Sequence, residues 1–199
     1  LVAGLLFSIS MYSLAQIRFQ KTFGGSNQDE GYSVQQTTDG GYVIVGSTNS
    51  FGAGNYDVYL IKTNANGDTL WTKTLGGGNY DEAYSVQQTN DGGYVITGST
   101  SSFGQGSDDV YLIKTNENGA TQWTKTFGGT NTDWGSSVQQ TSDNGYVIVG
   151  YTGSFGLGDG NVYLIKTNTN GDTLWTKTLG PIYPASSSGN SIQQTIDMN

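Results

Sequence analysis

The motif Ser33-Val34-Gln35-Gln36-Thr37 returns as Ser85-Val86-Gln87-Gln88-Thr89 and as Ser137-Val138-Gln139-Gln140-Thr141, each 52 positions after the last (85 − 33 = 137 − 85 = 52). A period of this length is one supersecondary unit copied along the chain, and neighbouring copies bury the faces that one copy cannot bury alone. A fourth copy opens at Ser191-Ile192-Gln193-Gln194-Thr195, 54 positions on (191 − 137 = 54), and the sequence stops inside it. The expectation is a segment of a longer repeat protein, with further copies beyond Asn199.

Each unit carries four short extended runs separated by turn chemistry. In the first unit these are Tyr32–Thr37, Tyr42–Gly46, Asp57–Thr63 and Thr69–Leu75, with Asp39-Gly40 and Asn66-Gly67 marking two tight hairpins. The second and third runs are almost continuously apolar, as in strands covered on both faces. The fourth alternates bulky and hydroxylic side chains, as in a half-wet outer strand. Helix formers occur in no long run, and 31 glycines punctuate the chain. The predicted fold class is all-β: a partial β-propeller of four-stranded antiparallel blades with a period of about 52 residues, at 32–76, 84–128 and 136–180. Residues 17–24 match the fourth run of later units and are expected to be a lone outer strand. Residues 191–195 are expected to be the first strand of a further blade, so that 16–199 form an incomplete ring. Residues 1–15, LVAGLLFSISMYSLA, are uncharged and too short to span a bilayer. With the small residues Ser13 and Ala15, they read as a signal peptide whose basic start is missing, which predicts a secreted or surface chain and no membrane insertion of the mature part.

Composition excludes several chemistries. The formal charge of −8 is wrong for a phosphate-backbone grip, so nucleic acid is not an expected partner. Without Cys or His there are no thiolate nucleophiles, imidazole bases or soft-metal ligands. No cofactor is expected. Ca²⁺ held by oxygen is the metal chemistry left open, and no D-x-D-x-D run supports it.

The residues also resemble a known group, the bacterial β-propeller repeats (seven-bladed propeller-type repeats) of secreted and cell-surface proteins. The likeness rests on the loops Gly24-Gly25-Ser26-Asn27-Gln28-Asp29, Gly76-Gly77-Gly78-Asn79-Tyr80-Asp81 and Gly128-Gly129-Thr130-Asn131-Thr132-Asp133. It also rests on the Asp-Gly-Gly-Tyr-Val-Ile turns at 39–44 and 91–96 and on the steps ending at Trp71, Trp123 and Trp175. It covers Ile17 onward and departs at Pro181-Ile182-Tyr183-Pro184 and at Asn144, which stands for a turn glycine. The resemblance implies a fold, an export route and a surface location, and no catalytic residue.

Antiparallel strand parity puts the loop between the second and third runs and the loop between units at one end of the stack. That end gathers Asp29, Asp81 and Asp133, together with Tyr56, Asp57, Asp109 and Trp134. These seven are the candidate ligand-binding residues. Trp134 leads them because it replaces Glu30 and Glu82 of the sister units. The aspartates have an alternative role as turn caps. The adjacent pairs Asp29-Glu30 and Asp81-Glu82 recur too regularly for one asymmetric glycosidase-like site. Phe51, Phe103 and Phe155 are expected to wedge between units, Trp71, Trp123 and Trp175 to be packed, and Lys62, Lys114 and Lys166 to lie at solvated strand ends beside acids. The predicted role is a non-catalytic scaffold or a recognition module for extracellular protein or glycan. The alternatives are an inert spacer, marked by a long-loop face no deeper than the hairpin face, or part of a hydrolase with its active residues elsewhere.

Overall fold

A computed structural model describes residues 20–157, 160–180 and 186–195. The signal segment 1–15 lies outside them. Twelve strands form three four-stranded antiparallel sheets, and no helix occurs among the described residues. The first sheet is β1 (Asp29–Gln36), β2 (Tyr42–Thr48), β3 (Asp57–Thr63) and β4 (Thr69–Leu75), paired in chain order. The second is β5 (Asp81–Gln88), β6 (Tyr94–Thr100), β7 (Asp109–Thr115) and β8 (Thr121–Phe127). The third is β9 (Asp133–Gln140), β10 (Tyr146–Thr152), β11 (Asn161–Thr167) and β12 (Thr173–Leu179).

The sheets stack face to face because each is apolar on both sides. Val43, Val45, Val58 and Leu60 of the first meet Ala83, Val86, Tyr94, Ile96, Tyr111 and Ile113 of the second. Val95, Val110 and Leu112 of the second meet Val138, Tyr146, Ile148, Tyr163 and Ile165 of the third. Each fully buried aliphatic side chain contributes about 1.5–3 kcal/mol at these seams. Val34, at the position of Val86, shows what a missing neighbour costs: it is 63 % exposed, against 6 % for Val86.

The first run begins earlier than expected, at Asp29, Asp81 and Asp133, and the second extends to Thr48, Thr100 and Thr152. The sheets therefore span 29–75, 81–127 and 133–179 rather than 32–76, 84–128 and 136–180. A bulge explains the missed start: register shifts between Gly31 and Ser33 and between Ala83 and Ser85, which interrupts the side-chain alternation. The third and fourth runs match in full. Residues 20–24 and 191–195, expected as strands, form no ladder among the described residues. They still behave as repeat elements. Lys21 bonds Asp68 at 2.8 Å, as Lys125 bonds Asp172 at 2.8 Å across the next-but-one seam.

Position-specific residues recur for steric reasons. Trp71 and Trp123, not the phenylalanines, wedge between sheets: a Cβ on Gly119 would lie 2.7 Å from Trp71, and one on Gly171 would lie 2.7 Å from Trp123. Those indoles pack on Tyr94 and Tyr146 with ring centroids 6.0 and 5.7 Å apart. Phe51, Phe103 and Phe155 instead lie exposed, tilted on Tyr59, Tyr111 and Tyr163 of their own sheets. At the turn where Gly40 and Gly92 have φ of 81° and 82°, Asn144 adopts φ 60°, the left-handed region asparagine tolerates better than most residues.

Candidate functional site

The long-loop end is built as strand parity predicts. The β2–β3 and β4–β5 loops meet through Asn55 N–H to Asn79 O at 3.2 Å and Asp81 N–H to Tyr56 O at 2.8 Å. The aspartates expected as ligand contacts are turned into the protein as caps. Asp81 accepts the Gly77 amide at 2.7 Å and the Ser102 hydroxyl at 2.6 Å, plus the Thr100 hydroxyl on its other oxygen. Asp133 repeats this with Gly129 and Ser154, and Asp29 with Gly25, Ser50 and Thr48. Asp57 accepts from Ala53 N–H at 2.7 Å, and Asp109 from Gln105 N–H at 2.5 Å. Asp57, Asp81, Asp109 and Asp133 are fully buried, so these carboxylates organise the loops and offer no surface to a ligand. Burial works against the charge of Asp29, and the Thr48 hydroxyl and Gly25 amide more than offset it, leaving its pKa lowered. For Asp109, burial prevails, helped by Asp133 and Asp108, and its pKa is raised. Among the described residues no group of three acidic side chains is placed to hold a metal ion.

Trp134 is where the repeat is broken in space as well as in sequence. In the first two sheets the bulge carries a glutamate–tyrosine pair: Tyr32 donates to Glu30, and Tyr84 donates to Glu82 at 2.5 Å. Desolvation and the adjacent carboxylate push the Tyr32 phenol up to about 12, and the Tyr84 phenol is raised by the same two causes. In the third sheet Glu82 gives way to Trp134, Tyr84 to Ser136 and Ser99 to Tyr151. Trp134 and Tyr151 stack at 4.1 Å with planes 13° apart. Three neighbouring positions have changed together.

The two seams differ accordingly. At the first seam, Tyr56 stacks on Tyr80 at 5.7 Å and donates to Gln28 at 2.8 Å, so its ring occupies the space between the loops. At the second seam the corresponding residues are Asp108 and Thr132. With both rings gone, a cleft of about 380 Å³ opens, lined by Tyr80, Glu82, Tyr84, Asp108 and Trp134 with small hydroxylic residues between them. Of the seven expected contact residues, Trp134 alone lines this cleft, and Tyr56 is the group that fills its counterpart. Comparing sister units at positions 80, 108 and 132, as at 134, would have found the rest.

Clefts on the hairpin face are larger, about 580 and 560 Å³, so depth does not distinguish the long-loop face. Their walls are repeated structural groups. Lys114, expected at a solvated end, is 3 % exposed and bonds Asp91 at 2.9 Å and Thr115 O at 2.8 Å, and Lys62 and Lys166 bond Asp39 and Asp143 likewise. The amide side chains belong to a clamp that the sequence reading missed. Inner-strand N–H groups that face away from their own sheet are taken by the preceding sheet, Gln88 N–H by Gln35 Oε1 at 2.6 Å and Gln140 N–H by Gln87 Oε1 at 2.5 Å, and the Gln194 N–H is taken likewise by Gln139 Oε1 at 2.5 Å. The second glutamine reaches back, with Gln88 accepting from Thr38 N–H and Gln140 from Asn90 N–H, both at 2.9 Å.

No family model matches the chain, and no curated protein matches it. Among solved structures it is similar to a crystal structure of a protein of unknown function from Bacteroides caccae, at 16 % identity and a TM-score of 0.48. That likeness covers 77 % of this chain and 47 % of the other, so the chain spans about half the length of that neighbour.

Proposed function

We propose that the chain is a non-catalytic module of a β-propeller, secreted or displayed at a cell surface, that recognises an extracellular protein or glycan through its long-loop face. In this reading each sheet is a blade of a unit repeated about every 52 residues. Residues 20–24 and 191–195 then belong to the outer and inner edges of a further blade. The observation that carries the recognition reading is the asymmetric cleft at the second seam. A spacer gains nothing from converting three touching positions in one unit, whereas a binding site needs a single irregular place on a regular scaffold. The nearest carboxylates, Glu82 and Asp108, lie among tyrosines and serines without a nucleophile–base pair, which supports binding over catalysis. The spacer alternative draws on the larger size of the hairpin-face clefts.

The test is a glycan array together with a pull-down from extracellular proteins, using the chain and its Trp134→Glu variant, in which the third unit regains the residue of its sisters. The proposal predicts ligands whose retention falls at least tenfold in the variant, equivalent to about 1.4 kcal/mol. Equal retention by both proteins, or no ligand at all, favours the spacer.

A further inference from the structure

We propose that the cleft at the second seam binds an organic ammonium group, seated against the rings of Trp134, Tyr80 and Tyr84 and neutralised by Glu82 and Asp108. The inference rests on the recognition reading above and names the chemistry of its ligand.

The comparison of the two seams is internal to one chain, which removes scaffold differences from the argument. Relative to the first seam, the second loses the Tyr56 ring to a carboxylate, Asp108, and the Tyr80 ring to the short side chain of Thr132. Both changes open space. It also gains an indole, Trp134, at the position of Glu82. The result is a partly enclosed volume with aromatic faces on its walls and two carboxylates among them. No Lys or Arg lines it.

The carboxylates are held in place by hydroxyl donors. Tyr84 donates to Glu82 at 2.5 Å, and Ser101 donates to Asp108 at 2.6 Å. The raised Tyr84 pKa keeps that phenol a neutral donor to Glu82. One face of the Trp134 indole is covered by Tyr151, which fixes the ring plane. Tyr80, which stands where the first seam has Gln28, is 51 % exposed, and its stack on Tyr56 at the first seam holds the ring that lines this cleft.

Three ligand classes can be ranked on this geometry. An anionic group meets two carboxylates and no cation, and is repelled. A neutral sugar finds rings to stack on, yet it would cover two charged carboxylates without neutralising them, at a desolvation cost. An ammonium group gains from both features at once, since cations are drawn to the negative faces of Trp and Tyr and to carboxylates in the same volume. Lysine side chains, amino sugars and choline-type head groups all present this chemistry.

The experiment is a titration of the ¹⁵N-labelled chain with choline, with N-acetyl-lysine amide, with the uncharged carbon isostere of choline (3,3-dimethylbutan-1-ol) and with a neutral methyl hexoside, following the four tryptophan indole signals. The expected result is a dissociation constant on the order of 1 mM for one or both ammonium probes. The Trp134 indole should shift while Trp71, Trp123 and Trp175 stay in place. The uncharged isostere should bind at least tenfold more weakly. The double exchange Asp108→Tyr with Thr132→Tyr restores the residues of the first seam and should abolish the shift, with far-ultraviolet circular dichroism and the melting temperature confirming that the sheets persist. Whichever ammonium probe binds more tightly identifies the source. Equal binding of choline and its isostere, or no ammonium-induced shift at Trp134, overturns the inference. If the hexoside alone shifts Trp134, the ammonium proposal falls and the recognition reading survives. If no probe does, and the array and pull-down are also empty, both fall.

Discussion

Replacing Gln87 by alanine tests how the sheets are joined. The inner strand β9 pairs with β10 on one side only, so every second N–H along its other edge lacks a ladder partner. Gln140 N–H is one of these, and Gln87 Oε1 accepts it at 2.5 Å across the seam. Val138 N–H is another, met more loosely by Ser85 Oγ at 3.3 Å. In Gln87→Ala the Gln140 amide loses its acceptor at a partly buried seam, for which the expected loss is about 1–2 kcal/mol. With a urea dependence of about 3 kcal/mol per molar for a chain of this size, the unfolding midpoint should fall by ~0.3–0.7 M. Gln87→Glu keeps an acceptor oxygen at the same reach and should stay within ~0.5 kcal/mol of the parent. A Gln87→Ala protein with an unchanged midpoint would refute the clamp. So would a Gln87→Glu protein as unstable as the alanine variant, since that would assign the effect to the amide nitrogen or to packing.

Further outcomes follow from differences between sister units. Trp123→Ala should cost about 2–3 kcal/mol, because its indole lies under Gly171 and against Tyr146, whereas Trp175→Ala, at a position 43 % exposed, should cost less than about 1 kcal/mol in thermal or urea unfolding. Lys73 faces Ala120 where Lys21 and Lys125 have Asp68 and Asp172, so Ala120→Asp should add about 0.2–1 kcal/mol, diminishing as salt is raised. Hydrogen bonds from Lys62 and then from Thr37 depress Asp39 from 3.8 to about 2. A depressed carboxyl stabilises the fold above its unfolded pKa and loses that contribution as pH falls through its folded one. Asp39→Asn should therefore flatten the decline of melting temperature between about pH 4 and pH 2, and an unaltered slope would contradict the assignment.

How much of this was legible in the residues depends on whether a feature recurs or stands alone. The third and fourth strands were readable in full, because Asp57 and the Asn66-Gly67 turn bracket a continuous apolar run and an alternating one. The first strand was misjudged by three residues: Asp29 and Glu30 look like loop chemistry, and the bulge around Tyr32 breaks the alternation that would have extended the strand. The assignment of Phe51 as a wedge and Lys62 as solvated failed for a common reason. Recurrence shows that a side chain has a structural task but not which neighbour it meets. The indoles, expected to be packed, proved also to be the wedges, and a lysine proved able to bury itself once Asp39 and Thr63 O satisfied its ammonium. The glutamines were hidden because side-chain bonds between sheets leave no periodic hydrophobic signal. Trp134 was visible because it interrupts a pattern. Asp108 and Thr132 interrupt the same pattern less conspicuously, and their meaning emerges only when the stack of Tyr56 on Tyr80 is seen at the sister seam.

The account rests on face-to-face sheets joined at their inner strands by repeated side-chain clamps. Amide hydrogen exchange on the inner strands tests this most directly. The amides of Val86, Gln88, Val138 and Gln140 lie on strand edges that have no backbone partner, yet they are predicted to be protected to the same degree as their ladder-bonded neighbours. Exchange at those four positions as fast as at the exposed Gly78 would contradict the account.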